Sequence, residues 1–374
     1  VSKLSAGGSI RAAVMSAPGA PIEVREFSRP TLEPGALLLE TIYSEVCGTD
    51  VHLHDGHLAG VPYPIIPGHV NVGRVAETAG EVTDVEGEPL RSGDLVTFLD
   101  VHETCGKCWY CLVAKAATRC PHRRVYGITY SAQEGLLGGW SQAIYLKPGV
   151  KILRLPENLP PERFIAAGCG LPTAVHAIER AQIQLGDNVV VQGSGPVGLN
   201  AVILAQLQGA GQVIVVGAPA LRLETARALG ADVVVDISEY DPAGRVERVR
   251  ALTGGRGADV TIEATGNPRA VREGMQMTRD AGRLVVVGQY TDLGDTSFNP
   301  HWDINKKHLE IRGCWGSDFS HVYRGVRVLA RYGDRFGWER MITRVYSLDE
   351  ANQALADVAD LKVVKALIQP GAGK

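Results

Sequence analysis

Four cysteines, Cys105, Cys108, Cys111 and Cys120, fall within 16 residues in a C-x2-C-x2-C-x8-C pattern. Four soft thiolates on one short loop suit a closed tetrahedral zinc site with Zn–S bonds of about 2.3 Å. With all four positions filled no place remains for a substrate, so such a metal would be structural. Lys107, Lys115 and Arg119 make the segment polar, which argues against four reduced core thiols. In a reducing compartment the crowding also argues against disulfides. An iron–sulfur cluster is the lesser alternative.

A second set is dispersed: Cys47-Gly48-Thr49-Asp50-Val51-His52, then Pro67-Gly68-His69, then Cys169-Gly170. A single Cys or His is more often a core residue than a ligand. Glycine turns beside each candidate, and a nucleotide-binding unit downstream, give these three a second reading. A catalytic zinc takes three protein ligands and keeps its fourth position open. Cys47, His69 and Cys169 would supply two sulfurs and one nitrogen.

The third feature is Gly193-Ser194-Gly195-Pro196-Val197-Gly198, with a strand predicted at Asn188–Gln192 and a helix at Pro196–Leu207. Glycine at the first, third and sixth places allows a tight turn, close backbone approach to a pyrophosphate, and close helix–strand packing. The helix start directs its amides and positive dipole end at phosphate. Among 44 glycines a bare match means little; its place between strand and helix carries the reading. The next strand should end in an acid for the adenosine ribose, about 20 residues on. It ends in Gly217. Without that acid NADP becomes possible, yet no Arg or Ser follows at once. Arg222 could reach the ribose or a phosphate, or be a solvated helix charge. NAD is the favoured cofactor, with NADP open.

These residues need two kinds of scaffold. The first third has short strands (36–43, 73–78, 94–97, 143–146) bounded by Gly, Pro and Asp, and reads as a β body with long loops. From about Leu171 strands and helices alternate, ending with a helix at 268–277 and a strand at 283–287. That is the pattern of a parallel, doubly wound sheet covered on both faces. After Trp315 the alternation stops, and a helix at 348–357 and a strand at 362–368 are read as returning to the first domain. The expected division is 1–170 with 316–374, including a cysteine lobe at about 101–124, and 171–315. A chain of 374 residues suits two domains. The formal net charge of −3 and pI near 6.4 leave no basic surplus for nucleic acid or an anionic membrane. No apolar run is long enough to span a bilayer, and the first residues lack a signal-peptide core, so a cytoplasmic setting is expected.

The order C-G-T-D-x-H, G-H, four-cysteine lobe, C-G-x-x-T and G-x-G-x-x-G resembles the zinc-dependent alcohol dehydrogenases of the medium-chain dehydrogenase/reductase superfamily, over about 11–369. The resemblance implies an α/β protein with a GroES-like β-rich catalytic domain, a Rossmann domain and an active site in the cleft between them. It implies two zinc ions per chain: a catalytic one on Cys47, His69 and Cys169, and a structural one on the four-cysteine lobe. It also implies NAD or NADP, a small alcohol or carbonyl substrate, and a homodimer or homotetramer.

In this reading zinc lowers the pKa of an alcohol, whose carbinol hydrogen leaves as hydride to the nicotinamide. Thr49 hydrogen-bonds the substrate oxygen and passes its proton on. His52 takes that proton through the cofactor ribose to water. By resemblance Asp50 hydrogen-bonds His69 and fixes its tautomer; a helix-capping role for Thr49 and Asp50 can coexist. Val197 and Thr173 pack on the nicotinamide. His54 and His57 are read as solvated or at the cleft entrance, Cys314 as a small buried hydrophobe, and Val101 and Trp140 as core or pocket wall. Three departures stand out: Val70 where the family commonly has Glu, eight residues instead of seven before Cys120, and Gly217. The competing readings are a zinc-stapled nucleotide sensor without catalysis and a zinc-independent reductase on the same fold.

Overall fold

A computed structural model describes residues 8–371; 1–7 and 372–374, included in the expected first domain, lie outside the described residues. The chain forms two compact units. One holds residues up to Gly168, Asp318–Gly333 and the stretch from Ile342; the other holds Cys169–Ser317 and Asp334–Met341.

The first unit begins with an antiparallel pair, β1 (Ile10–Val14) and β2 (Glu23–Phe27). Then follow β3 (Leu37–Val46), α1 (Gly48–His54), β4 (Asn71–Thr78), β5 (Leu95–Phe98), β6 (Val101–Glu103), α2 (Trp109–Leu112), β7 (Arg124–Val125), β8 (Ala143–Leu146), β9 (Ile152–Arg154) and α3 (Pro161–Ala167). The ten-residue β3 is the spine of this unit. Successive side chains on a strand point to opposite faces. Leu37 and Leu39 accordingly enter one apolar cluster with Val75, Val96 and Ile152, while Leu38 and Val46 enter another with Val14, Trp140 and Ile368. Burying both faces fixes the strand's register, and with it the position of Cys47 just past its end.

The second unit contains α4 (Gly170–Ala181), β10 (Asn188–Gln192), α5 (Pro196–Gln208), β11 (Gln212–Gly217), α6 (Ala220–Ala228), β12 (Val233–Asp236), α7 (Pro242–Leu252), β13 (Ala258–Glu263), α8 (Pro268–Met277), β14 (Thr278–Val286) and β15 (Glu310–Gly313). Its six strands are all parallel, in the order β12-β11-β10-β13-β14-β15. The order reverses between β10 and β13, so the glycine turn after β10 lies at the switch point where doubly wound sheets bind ligands. Val189, Val190 and Val191 are wholly buried, as expected for a strand covered on both faces.

The chain continues through α9 (Phe319–Phe336), β16 (Ile342–Tyr346), α10 (Ala351–Ala359) and β17 (Lys365–Ile368). β17 runs antiparallel to β3, with Ala366 opposite Val46. Two local expectations need correcting. The 18-residue α9 was not expected after Trp315; Val326 and Leu329 are buried while Arg324 and Arg327 are exposed, a helical pattern masked by frequent arginines. Asp334–Met341 was assigned to the first domain but packs with the second. There the buried Trp338 indole donates to Asn200 Oδ1 of α5 at 2.9 Å.

Candidate metal centres and dinucleotide turn

The Cys47 and Cys169 thiols and the His69 imidazole each offer a ligand atom, and these atoms all lie within 4.8 Å of one another. Cys169 opens the second unit but is joined directly to Gly168 of the first. Cys47 is the N-cap of α1 in extended geometry. Asp50, wholly buried, accepts the Cys47 backbone N–H at 2.9 Å and the Gly68 backbone N–H at 3.4 Å. One carboxylate therefore links the segment carrying Cys47 to the segment carrying His69. Burial pushes its pKa up, and the nearby His69 is the main influence pulling it back. The capping role is thus in place, joined to a backbone bond on the His69 segment.

His69 is buried in a loop that only glycine permits. Gly68 has φ +88°, and a Cβ there would strike Ser44 Oγ at 2.5 Å and the Trp140 backbone nitrogen at 2.9 Å. A Cβ on Gly127 would lie 2.9 Å from the His69 backbone nitrogen. Gly139 donates to the Gly68 carbonyl at 2.7 Å, and Trp140 donates to Pro67 at 3.0 Å. Gly127 and Gly139 escaped the sequence reading, since no local pattern ties them to residue 69. Trp140 has no exposed surface and sends its indole N–H to the Glu45 carbonyl at 3.1 Å. It is core, as is Val101, packed with Leu99 and Val125. Asp100 was also missed: burial raises its carboxyl pKa, while His69 and Arg123 oppose the rise.

The four-cysteine lobe fits a single tetrahedral ion. Its Sγ atoms stand 3.5 Å (Cys108–Cys111), 3.7 Å (Cys105–Cys120) and 3.9 Å (Cys108–Cys120) apart. A tetrahedron with Zn–S of about 2.3 Å separates its sulfurs by about 3.8 Å. An iron–sulfur cluster, whose cysteines bind different irons, would spread them farther. The trio fits a second zinc by its donors: two thiols and one imidazole, with one position left for another ligand.

At the dinucleotide turn each glycine has its own reason. Gly193 has φ +101°, and a Cβ there would lie 2.6 Å from the Ala264 carbonyl oxygen. A Cβ on Gly198 would overlap the Gly193 carbonyl, so this glycine lets α5 close on β10. Beside Gly195 there is open space, the nearest atom to an ideal Cβ being Arg222 Nη1 at 3.9 Å. A pyrophosphate needs that clearance. Pro196 occupies the first helical position of α5, where its missing N–H costs nothing. Ser194 Oγ would lie 2.7 Å from a Cβ on Gly217 and donates to the Ala218 carbonyl at 2.9 Å. A side chain at 217 would therefore require Ser194 to shift. Burial lowers the Arg222 pKa. Val197 is half-buried, as is Thr173, whose hydroxyl donates to the Cys169 carbonyl at 3.0 Å.

His52 sits on α1 with its Nδ1 3.3 Å from Nδ1 of the exposed His57. Burial, then the neighbouring His57, lowers the His52 pKa. Thr49, three residues earlier on the same helix, is half-buried. His54 lies beside Asp55. Cys314 is 6% exposed, and burial pushes its thiol up to about 12, in keeping with an inert core residue. No described helix is long and apolar enough to cross a membrane.

Residues 33–157 match the family described as alcohol dehydrogenase GroES-like domain, and 196–331 match that described as zinc-binding dehydrogenase. The chain is 34% identical to 5-exo-hydroxycamphor dehydrogenase of Pseudomonas putida, over 90% of this chain and 91% of the relative. It is 30% identical to L-threonine 3-dehydrogenase of Pyrococcus horikoshii, over 88% and 89%. The crystal structure of an alcohol dehydrogenase from Thermotoga maritima superposes with a TM-score of 0.92 at 35% identity, covering 97% of this chain and all of the other. A zinc-binding dehydrogenase from Sinorhizobium meliloti, described as putative and bound to NADP, gives 0.83 at 27% identity over 97% and 100%. Whole-length likeness and the two metal-ligand sets together place the chain in the zinc-dependent alcohol dehydrogenase branch of the medium-chain dehydrogenase/reductase superfamily.

Proposed function

We propose that this NAD(P)-linked alcohol dehydrogenase works through Cys47, His69 and Cys169 as ligands of a catalytic zinc, with Thr49 and His52 carrying the proton. The convergence of the three ligand atoms within 4.8 Å is the observation that carries this reading. When bound, zinc supplies a Lewis acid that lowers the pKa of the alcohol. The Thr49 hydroxyl accepts the alcohol proton and donates its own onward. His52 lies one turn along α1, on the same face. Its lowered pKa keeps the ring neutral near pH 7 and able to accept. From His52 the proton has a short path to His57, 3.3 Å away and open to water. A bound nicotinamide would supply the hydride acceptor for alcohol oxidation and the hydride donor for carbonyl reduction, with Thr49 and His52 moving the proton in either direction.

The amides at the start of α5 would hold the pyrophosphate, and Val197 and Thr173 would support the nicotinamide ring. Gly217 carries no acid to repel a 2′-phosphate, and Arg222 lies beside Gly195. These features support NADP use alongside NAD, a shift from the NAD preference read in the sequence. Because one relative acts on hydroxycamphor, cyclic secondary alcohols head the substrates to test. A homodimer or homotetramer in the cytoplasm completes the reading, the reducing compartment supported by thiols grouped as candidate metal ligands; sedimentation and cell fractionation test the two parts.

The direct test is metal analysis with two variants. The wild type should hold two zinc ions per chain. Cys47→Ser should lose turnover and keep its melting temperature, whereas Cys105→Ser should mainly lose stability. Equal unfolding of both would defeat the division into catalytic and structural sites.

A further inference from the structure

Glu45 and Lys365 form an ion pair of 2.5 Å with side chains 1% and 0% exposed. Removing two charges from water costs several kcal/mol per ion, and replacing such a pair with apolar residues is often neutral or stabilising. Stability alone therefore gives little reason for its presence. Its location gives a better one.

Glu45 lies two residues before Cys47, on the last turn of the β3 pleat. Its backbone N–H donates to the carbonyl of Val70, the residue after His69, at 3.1 Å. Its own carbonyl accepts the Trp140 indole N–H at 3.1 Å. Gly168, the residue before Cys169, runs so close to the pair that a Cβ there would overlap both the Glu45 carboxylate and the Lys365 ammonium. One residue thus adjoins the chain neighbours of all three candidate ligands. Lys365 enters from β17, beside the pairing of Ala366 with Val46. Val70 is uncharged, but the segment does not lack an acid: Glu45 brings one in from the neighbouring strand.

We propose that the Glu45–Lys365 pair is a positioning device for the metal trio, locking together the segments that carry Cys47, His69 and Cys169. The inference rests on the trio holding a metal, as argued above. Groups that brace metal ligands typically change affinity 10- to 100-fold when removed. Both side chains are buried and bear on the ligand-carrying backbone, so the metal's residence time is the natural readout.

The test uses the zinc-loaded enzyme and the rates at which its two ions pass to a chromogenic chelator. The double variant Glu45→Met/Lys365→Met strands no charge and is expected to melt close to the wild type. It should release one zinc roughly 10- to 100-fold faster and the other at the wild-type rate. With cobalt in place of the fast-released ion, its visible d–d bands should shift. Lys365→Arg keeps the charge and should restore slow release. An equivalent double substitution of Arg245 and Glu273, a 2.6 Å pair in the second unit, should leave both rates alone. Wild-type release from the double variant would overturn the proposal, and so would equal acceleration of both ions with a lowered melting temperature. If that double variant does not fold, Glu45→Gln/Lys365→Met, which keeps the carboxylate's shape and strands no charge, is read in the same way, and an unchanged rate there is equally fatal. A wild type holding one zinc per chain would instead sink the catalytic-site reading beneath it.

Discussion

Gly195 and Gly198 are three residues apart in one turn, yet alanine should harm them in opposite ways. Gly195 has φ −78° and ψ 177°, ordinary values for alanine, and its Cβ would meet nothing nearer than 3.9 Å. At an N-cap alanine is worse than glycine by roughly 0.5–1 kcal/mol. Lower entropy of the unfolded chain returns about 0.4–1 kcal/mol. The cofactor-free stability of Gly195→Ala should therefore stay within about 0.5 kcal/mol of the wild type. The new methyl would occupy the clearance that a pyrophosphate needs. Overpacking of that kind costs about 1–3 kcal/mol, or roughly 5- to 150-fold in Kd. For Gly198→Ala the methyl overlaps the Gly193 carbonyl and lies 3.4 Å from Val191 Cγ1. α5 must move off β10, and a similar ~1–3 kcal/mol is lost from folding with no cofactor present. Thermal melts of the free enzyme and NADH or NADPH fluorescence titrations separate the two outcomes. Undiminished cofactor binding by Gly195→Ala would refute the assignment of this turn.

Two further outcomes follow from the same geometry. Arg222→Ala should weaken NADPH by about 10- to 100-fold, the worth of a charge-assisted hydrogen bond of about 1.5–3 kcal/mol, and affect NADH far less; equal losses for both would remove Arg222 as the 2′-phosphate contact. His52 is held below its usual pKa by burial and then by His57, so its neutral, proton-accepting form persists to lower pH than in a free imidazole. His57→Ala removes one lowering influence, so the acid limb of alcohol oxidation should move to higher pH; a limb that stays put would take His52 out of the proton path.

Residues close in sequence could be read without coordinates. The cysteine lobe and the glycine turn each pack their signal into one short segment, and residue type and spacing suffice to propose a role for each. Asp50 was singled out, but its bond to Gly68 was not, because that bond joins segments with different local patterns. Ser194 shows the same limit from the other side: the absence of an acid at Gly217 could be seen in the sequence, the close approach of Ser194 to that position could not.

By itself the sequence determined the class of fold and nominated the four-cysteine lobe, the glycine turn and the roster of candidate ligands. Cys47, His69 and Cys169 are separated by 22 and 100 residues, and no periodicity extends that far. Only the tertiary structure decided that their ligand atoms meet, through β3 register, the glycine-lined His69 loop and the Asp50 carboxylate. Glu45 and Lys365, 320 residues apart, were beyond any local reading, because a buried ion pair depends on the sheet that brings its partners together.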